Sequence, residues 1–519
     1  MLTEFRNEPV LDYGNSEDIK EFRAALERLR AEAGQTLPLV IGGEKIYLDE
    51  TFATVCPARP DEVLAHFADG GVEHVDMAVA AAEEAFASWR LTPVGERARL
   101  LLRVAALMRV RRHELNALMS LEIGKAWAEA DGETSEAIDF LEYYARQMLD
   151  LADRSDELTE WPGEQQTLNY IPLGVGAVIP PWNFPLAIGT GLLSATLVAG
   201  NAAVYKPAEQ SPLLGWKVAE YFLECGLPAG VMNFVTGPGE VVGARMVEHP
   251  RTRFICFTGS RDVGVEIYEK AGRVLPGQPW LKRSILEMGG KDAVLVDETA
   301  RLDQAAEGIV TSAFGYQGQK CSAGSRVIIV DDVYDELVPR ILERAKSLRV
   351  GAPDEGPDVT VGPVIDPNQF DKVKSYLEAG SDEGEVLLGG SPIETDEGGY
   401  FIQPTIFGEV PESARIAQEE IFGPVVALVR ARDFEDALRI VNSTDYGLTG
   451  AVYSEDPGRL SRVRDDFHVG NLYINRKCTG AMVGVQPFGG FNMSGTDSKA
   501  GGPDYLTLFT QAKTIAQKL

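Results

Sequence analysis

The chain has 519 residues, of which 45% are apolar and 24% charged, a composition typical of a globular protein with two or three domains. Its formal net charge of −29 would repel phosphates, which argues against nucleic acid as a partner and favours a solvated acidic surface, with adaptation to high salt as the alternative. The odd number of cysteines and the absence of a CxxC pair argue against a disulfide framework and a metal site, and predict a reducing, cytoplasmic location; the cysteines are Cys56, Cys225, Cys256, Cys321 and Cys478.

Two stretches bear on membrane partners and export. The uncharged segment 165–205 is interrupted by prolines and glycines, and its most helical part, 186–199, is shorter than the roughly 20 apolar residues that a bilayer requires. The first eight residues carry acids and no apolar run, so no signal peptide is expected. The sequence therefore predicts no membrane partner.

Apolar spacing predicts the elements in chain order. Helices are expected at 16–33, 75–89, 95–112 and 134–149. Short apolar strands at 175–179, 202–205, 231–235 and 254–257 then alternate with helices at 186–199, 213–225 and 240–247, which indicates a Rossmann-like parallel sheet.

The alternation resumes after residue 287 and predicts a second α/β domain. Its strands are expected at 293–296, 327–330, 425–429, 450–453 and 471–474, and its helices at 302–314, 333–348, 434–441 and 458–465. Segments 167–171 and 508–515 fit neither domain and are predicted to be exposed strands, which usually find a partner.

Cys321 is the candidate nucleophile. It lies among small residues, Gly318, Ser322 and Gly324, which leave room for a substrate, and adjacent Lys320 could lower the thiol pKa. Buried cysteines usually act as small apolar side chains, so on spacing alone the structural alternative stays open. The other four cysteines are interpreted as structural.

Glu287 and Asn183 are candidate partners of the cysteine. Glu287 follows apolar residues and precedes Gly289-Gly290, so burial would raise its pKa and suit a general base; the alternative is an ion pair with Lys282 or Arg283. Asn183 lies on a proline-rich turn, where its amide could donate to an oxyanion or cap the next helix.

Glycines that follow predicted strands indicate a phosphate site. Gly237-Pro238-Gly239 and Gly259-Ser260 each precede a helix, and such turns offer backbone N–H groups to a pyrophosphate. Lys206 and Glu209 end another strand, where Glu209 could accept from a ribose diol; a surface ion pair is the alternative.

Six motifs, in this order and spacing, resemble the aldehyde dehydrogenases: Pro181-Trp182-Asn183-Phe184-Pro185, Lys206-Pro207-Ala208-Glu209, Phe257-Thr258-Gly259-Ser260, Glu287-Met288-Gly289-Gly290-Lys291, Gly318-Gln319-Lys320-Cys321 and Glu420-Ile421-Phe422-Gly423-Pro424. The resemblance implies Cys321 as nucleophile, Glu287 as base and Asn183 as oxyanion donor. It also implies NAD as cofactor, bound by Ile179, Pro180, Pro181, Trp182, Lys206, Pro207, Glu209, Gly237, Gly239, Gly243, Phe257, Gly259, Ser260, Val263, Glu420 and Phe422.

Segments 5–9, 137–146, 249–255, 467–477 and 479–490 more narrowly resemble the L-glutamate γ-semialdehyde (1-pyrroline-5-carboxylate) dehydrogenases. That resemblance implies that Ser322 and the amides of Gly480 and Ala481 hold the α-carboxylate of the substrate, that Glu136 faces its amino end, and that Phe184 and Phe488 pack on its carbons.

The expected fold is α/β and aldehyde dehydrogenase-like. N-terminal helices and part of the NAD-binding domain span 1–153, oligomerisation strands 154–172, the Rossmann-like NAD-binding domain 173–288, the catalytic domain 289–497 and a last oligomerisation strand 498–519. The predicted assembly is a homodimer or a larger homo-oligomer built on dimers.

The expected activity is NAD-dependent oxidation of L-glutamate γ-semialdehyde to L-glutamate through a cysteine thioester, with a small molecule as partner and no metal. Three alternatives remain: a dehydrogenase of another semialdehyde such as succinate semialdehyde, a non-catalytic protein of the same fold, as some lens crystallins are, and a fragment of a bifunctional proline-catabolic enzyme. The chain has no room for a flavin-binding proline dehydrogenase domain, so that activity is expected on a separate protein.

Overall fold

The computed structural model describes residues 3–154 and 158–519. Residues 1, 2 and 155–157 of the predicted segments 1–153 and 154–172 lie outside the described residues. The helices are α1 Ser16–Ala31, α2 Val72–Trp89, α3 Val94–Val110, α4 Arg112–Glu122, α5 Trp127–Ala152, α6 Ala187–Val198, α7 Pro212–Glu224, α8 Ala244–Glu248, α9 Arg261–Ala271, α10 Leu302–Phe314, α11 Asp331–Lys346, α12 Pro367–Glu383, α13 Arg415–Gln418, α14 Phe434–Val441 and α15 Pro457–Asp466.

The strands are β1 Gln35–Leu37, β2 Leu39–Ile41, β3 Glu44–Ile46, β4 Thr51–Cys56, β5 Arg59–Ala68, β6 Glu164–Pro172, β7 Val175–Ile179, β8 Ala202–Tyr205, β9 Met232–Phe234, β10 Thr252–Thr258, β11 Arg283–Glu287, β12 Ala293–Val296, β13 Arg326–Val330, β14 Glu385–Leu388, β15 Pro392–Ile393, β16 Phe401–Ile402, β17 Thr405–Gly408, β18 Val425–Ala431, β19 Tyr446–Gly447, β20 Thr449–Tyr453, β21 Asn471–Ile474, β22 Phe491–Asn492 and β23 Thr510–Lys518.

The first large sheet has seven strands in the order β11-β10-β7-β8-β9-β2-β3. Strands β7 to β11 are parallel, which confirms the predicted Rossmann-like sheet. The hairpin of β2 and β3 extends the sheet antiparallel to β9, and the sequence prediction missed it because each strand has only three residues. A separate sheet of order β1-β5-β4 lies in the same N-terminal region.

The second large sheet also has seven strands, in the order β14-β17-β18-β13-β12-β20-β21, and only β14 runs antiparallel to its neighbour. Alternate residues of β12 and β13 belong to different cores: Val294 and Val327 pack with α10 and α11, whereas Leu295 and Ile328 pack with α12 and α14. Both faces are therefore buried, which explains why these strands are continuous apolar runs in the sequence.

The two predicted strands that fit neither domain, at 167–171 and 508–515, pair with each other. Strands β6 and β23 form an antiparallel ribbon from Thr510↔Pro172 to Lys518↔Glu164. All of β23 after Thr510 is exposed. Strand β6 is partly buried at most positions, and its Tyr170 packs against the core, so β23 is the outer strand of the ribbon.

Helices α4 and α5 differ from the prediction. Helix α4 was not predicted, and α5 begins at Trp127 although the sequence predicted a start at 134. Buried polar residues on these helices hide the apolar pattern; they include Asn116, Ser120, Glu122, Asp131, Glu133 and Thr134. Each of these has an internal hydrogen-bond partner, which satisfies the requirement for burying a polar group.

Among the described residues, no helix is both long and apolar enough to cross a membrane, and no group of His, Cys, Asp and Glu is arranged to hold a metal ion.

Candidate active site

A cavity of about 480 Å³ lies between the two large sheets. The first sheet contributes the carboxyl ends of its strands, such as Ile179 of β7 and the residues that follow Tyr205 of β8. The second sheet contributes residues that precede its strands, such as Cys321 before β13 and Phe422 before β18. The cavity thus lies between the carboxyl-end edge of the first sheet, where ligands of parallel sheets usually bind, and the amino-end edge of the second.

Cys321 lies at the end of a constrained loop. Tyr316 and Gln317 have φ angles of 51° and 55°, in the left-handed region that side chains rarely adopt, and Gly318 follows at 68°. The strain is held by tertiary contacts, because Gln317 Nε2 donates to Gly124 O at 3.0 Å and Pro363 O at 2.8 Å. Strained segments of this kind persist only where the surroundings impose them, and they cluster at functional sites.

The thiol of Cys321 is not activated by Lys320, and that expectation was wrong. Lys320 Nζ binds both oxygens of Glu129, at 2.7 and 2.8 Å, so its charge is neutralised away from the thiol. Burial raises the pKa of the Cys321 thiol well above its usual value, and nearby carboxyl groups, foremost Asp292, raise it further. The N–H of Ser322 lowers that pKa but does not outweigh burial.

Asn183 is buried and faces the cysteine loop. Its Nδ2 donates to Gln319 O at 2.9 Å, two residues before Cys321. The alternative, a cap on the next helix, is wrong, because the first N–H groups of that segment, Leu186 and Ala187, donate to Glu133 instead. The amide therefore lies beside the nucleophile loop, and no acceptor among the described residues takes the N–H of Cys321 itself.

Glu287 ends β11 and is enclosed by a loop from the far end of the chain. It accepts from the N–H of Gly490 at 3.1 Å and from the hydroxyl of Ser498. The alternative ion pairs are absent among the described residues, since Lys282 and Arg283 donate to backbone carbonyls. Burial raises the pKa of Glu287 to about 7, against the opposing effect of these hydrogen bonds. A carboxyl group with this pKa can exchange protons near neutral pH.

The cavity contains all but one of the residues predicted to bind the cofactor: Ile179, Pro180, Pro181, Trp182, Lys206, Pro207, Glu209, Gly239, Gly243, Phe257, Gly259, Ser260, Val263, Glu420 and Phe422. Gly237 does not line it. Its φ is 139°, and a Cβ there would lie 2.6 Å from Gly70 O, so this glycine permits close packing of two backbone segments.

One end of the cavity suits a ribose and a pyrophosphate. Glu209 Oε1 accepts from Gly239 N at 2.7 Å, which leaves its second oxygen for a ribose hydroxyl. Lys206 is buried, with Nζ 3.5 Å from the same carboxylate, so the alternative ion pair is present, although only its Glu209 end reaches the surface. Ser260 caps α9, whose N-terminus supplies backbone donors for an anion.

The other end lies beside Cys321. Glu420 Oε1 accepts from Gly290 N at 2.9 Å, and a Cβ on Gly289 would lie 2.2 Å from Glu420 Oε2, so a side chain there would displace this carboxylate. The ring of Phe422 packs edge-on against Trp182 with centroids 5.3 Å apart. The sequence did not reveal Gln369, which orients this turn by donating to Phe422 O at 2.7 Å.

The predicted carboxylate-binding loop lies next to the nucleophile. Cys478 Sγ is 3.4 Å from Ser322 O, so the loop that contains residues 479–481 begins beside the residue that follows Cys321. Arg476 donates to the carbonyls of Thr479 and Gly480 at 2.9 and 3.0 Å. The N–H groups of Gly480 and Ala481 have no acceptor among residues 3–154 and 158–519. The loop thus offers two free backbone donors.

The remaining predicted substrate residues come from three other segments. Glu136 lies on α5, where burial and the neighbouring carboxylate of Glu133 raise its pKa to about 8. Phe184 follows Asn183, and its ring lies 6.1 Å from that of Tyr316 in the cysteine loop. Phe488 exchanges backbone hydrogen bonds with Ala500, in the same loop that encloses Glu287. None of these three lines the cofactor cavity.

The fold and the site define a class. The sequence matches the model of the aldehyde dehydrogenase family over residues 47–515, and the chain belongs to that family.

Comparison with individual relatives is more specific than the family match. The chain is 53% identical over 517 residues, 100% of each chain, to a protein from Geobacillus sp. (strain WCH70) named 1-pyrroline-5-carboxylate dehydrogenase. It superimposes with a TM-score of 0.98, at 51% identity and 100% coverage of both chains, on the 1-pyrroline-5-carboxylate dehydrogenase from Thermus with bound NAD. Proline utilization A from Bdellovibrio bacteriovorus matches at 44% identity and a TM-score of 0.96; the match covers 99% of this chain and 53% of that one.

Proposed function

We propose that this chain oxidises L-glutamate γ-semialdehyde, the open form of 1-pyrroline-5-carboxylate, to L-glutamate with NAD, the second step of proline degradation. The names of the full-length relatives support this substrate. The observation that carries the proposal is the loop beside Cys321, where Gly480 and Ala481 leave two N–H groups without an acceptor among the described residues. A carboxylate satisfies such donors, and each hydrogen bond to a charged group contributes about 1.5–3 kcal/mol.

The substrate is an α-amino acid with a terminal aldehyde. In the proposed complex its carboxylate binds Gly480, Ala481 and Ser322, which directs the aldehyde toward Cys321. Glu136 faces the amino group, and its carboxylate becomes more stable when it gains that cation. Phe184 and Phe488 cover the aliphatic carbons.

Catalysis begins at Cys321. Its thiolate adds to the aldehyde carbon, and the oxyanion accepts hydrogen bonds from Asn183 Nδ2 and the Cys321 N–H. Because burial raises the pKa of the thiol, this addition should accelerate as the pH rises. NAD, when bound, supplies the hydride acceptor that converts the thiohemiacetal on Cys321 to a thioester. Glu287 then takes a proton from the water that releases L-glutamate, in keeping with its pKa near 7.

The residues of the cavity fit NAD. Lys206 and Glu209 would hold the adenosine ribose, Ser260 and the N-terminus of α9 the pyrophosphate, and Glu420 and Phe422 the nicotinamide ribose. The cavity is continuous from Glu209 to Cys321, so one molecule can span both ends. Gly259 lines the same cavity, and a Cβ there would lie 2.4 Å from the ring of Phe257, so glycine lets this ring pack against the backbone.

We assign the cofactor domain to 173–288 with part of 1–153, and the catalytic domain to 289–497. The exposed ribbon of β6 and β23, within 154–172 and 498–519, is the proposed oligomerisation domain, because exposed strands tend to pair with another chain. The proposed assembly is a homodimer or a larger assembly of dimers. The five free cysteines support a reducing, cytoplasmic location.

The test is steady-state NADH formation with 1-pyrroline-5-carboxylate, compared with succinate semialdehyde and propanal. The proposal predicts the highest kcat/KM for 1-pyrroline-5-carboxylate. A higher value for succinate semialdehyde would assign the chain to another semialdehyde, and the absence of NADH with every aldehyde would favour a non-catalytic role.

A further inference from the structure

An ion pair that the proposed chemistry does not use is buried beside Asn183. The side chains of Lys125 and Glu133 have 0% exposure, and Lys125 Nζ binds Glu133 Oε2. Removing two charges from water costs more than their attraction usually returns, so a buried ion pair is weak evidence for stability. Its contacts therefore have to explain its presence.

Lys125 binds the backbone of the proposed oxyanion donor. Its Nζ donates to Asn183 O at 2.9 Å. The same ammonium lies 3.6 Å from the ring centroid of Phe184 and 4.3 Å from that of Tyr316. One cation thus contacts the asparagine, the residue after it and the strained loop that leads to Cys321.

Glu133 binds the other side of the same turn. Its Oε1 accepts from the N–H of Leu186 at 2.9 Å and of Ala187 at 3.1 Å, where α6 begins. Between them, the two side chains hold a carbonyl at Asn183 and two N–H groups three and four residues later. The Asn183 side chain projects from a turn that is fixed at both ends.

Helix α5 braces the nucleophile loop in a similar way. Glu129, one turn before Glu133, binds Lys320, the residue that precedes Cys321. The two carboxylates are four residues apart and therefore lie on one face of the helix. The same helix thus supports the segments that supply both proposed oxyanion donors.

We infer that Lys125 and Glu133 form a clamp that positions Asn183 for the oxyanion, and that their role is positioning rather than catalytic contact. The inference rests on the proposed function of Asn183. A donor must lie within about 0.5 Å of its productive position, and displacement by about 1 Å can cost about 100-fold in rate.

The test variant is Lys125→Met/Glu133→Gln. It removes both charges and keeps an oxygen to accept from Leu186 and Ala187, whereas Lys125→Met alone would leave Glu133 unpaired and is expected to unfold at lower temperature. The double variant should fold and bind NAD within about twofold of the parent affinity, measured by quenching of tryptophan fluorescence. Its kcat should fall by about 10- to 100-fold.

A cycle with Asn183→Ala separates positioning from general damage. In that background the double change should lower kcat by less than about threefold, because the group it positions is already absent. The control is Arg112→Met/Asp131→Asn, another buried pair reaching α5 that does not touch the Asn183 turn, and it should keep kcat within about threefold even if its unfolding temperature falls. An unchanged kcat in Lys125→Met/Glu133→Gln, or equal fold-losses in both backgrounds, would overturn the clamp.

The clamp and the proposed substrate can be refuted independently of each other. Every aldehyde forms its oxyanion at the same site, so the cycle can be run with whichever aldehyde the parent chain oxidises best. A parent inactive with 1-pyrroline-5-carboxylate but active with propanal would refute the substrate, while the cycle with propanal would still decide the clamp.

Discussion

Glu287→Gln should remove the ionisation that limits turnover below neutral pH. Burial raises the pKa of Glu287 to about 7, although Ser498 and Gly490 donate hydrogen bonds that lower it. A carboxyl group of that pKa is about 10% ionised at pH 6 and about 90% at pH 8, so a step that needs the carboxylate speeds up about tenfold across this range. Glutamine keeps an acceptor for Ser498 but takes no proton. The turnover of the variant should therefore be low and almost independent of pH.

Stopped-flow NADH formation separates the two half-reactions. The variant should release about one NADH per active site in a burst and then turn over slowly, because only thioester hydrolysis needs this base. The burst rate should rise with pH in both enzymes, since burial raises the pKa of Cys321. Cys321→Ala is the control and should form no NADH. Turnover of Glu287→Gln that still rose tenfold between about pH 6 and 8 would refute the assignment of this titration, and loss of the burst would place Glu287 in thiol activation.

Three other substitutions have definite outcomes. Gly480→Val should raise KM for L-glutamate γ-semialdehyde sharply and KM for propanal much less. The valine side chain would obstruct the amides proposed to bind the carboxylate, and it would be strained at a φ of 78°. Equal increases in KM for both aldehydes would show that the loop has only a structural role. Glu209→Gln should narrow the preference for NAD over NADP by about tenfold, because the Glu209 carboxylate would repel the 2′-phosphate of NADP. Two like charges about 4 Å apart repel by about 1–4 kcal/mol, and the half-exposed position of Glu209 favours the lower value. Unchanged selectivity would mean that another contact discriminates between the cofactors. Burial raises the pKa of Glu122 to about 8, so the folded state holds a proton that the unfolded state loses near pH 4.5, and stability falls as the pH rises between these values. In urea titrations the unfolding free energy of the parent should fall by a few kcal/mol between about pH 6 and 9, and Glu122→Gln should abolish this fall. An equal fall in both proteins would refute the burial argument.

The sequence was informative where local pattern and burial agree. Strands such as β12 and β13 are apolar at every position because both faces are covered, and α10, α14 and β21 have the predicted bounds. The motifs follow or precede such strands, so their residues meet at the sheet edges, and all but Gly237 among the predicted cofactor residues line one cavity. The fold class and the sheet edge that carries the cofactor residues can therefore be predicted from local sequence patterns.

Only the tertiary structure decided the partners of the charged groups. Lys320 adjoins Cys321 in sequence but binds Glu129, 191 positions away, so the local expectation of a lowered thiol pKa was wrong. Glu287 takes its hydrogen bonds from residues more than 200 positions later, rather than from its neighbours. The pairing of Lys125 with Glu133 was hidden because buried polar residues erase the apolar periodicity that marks a helix. Electrostatic energy depends on distance and burial in space, and neither can be read from neighbours along the chain.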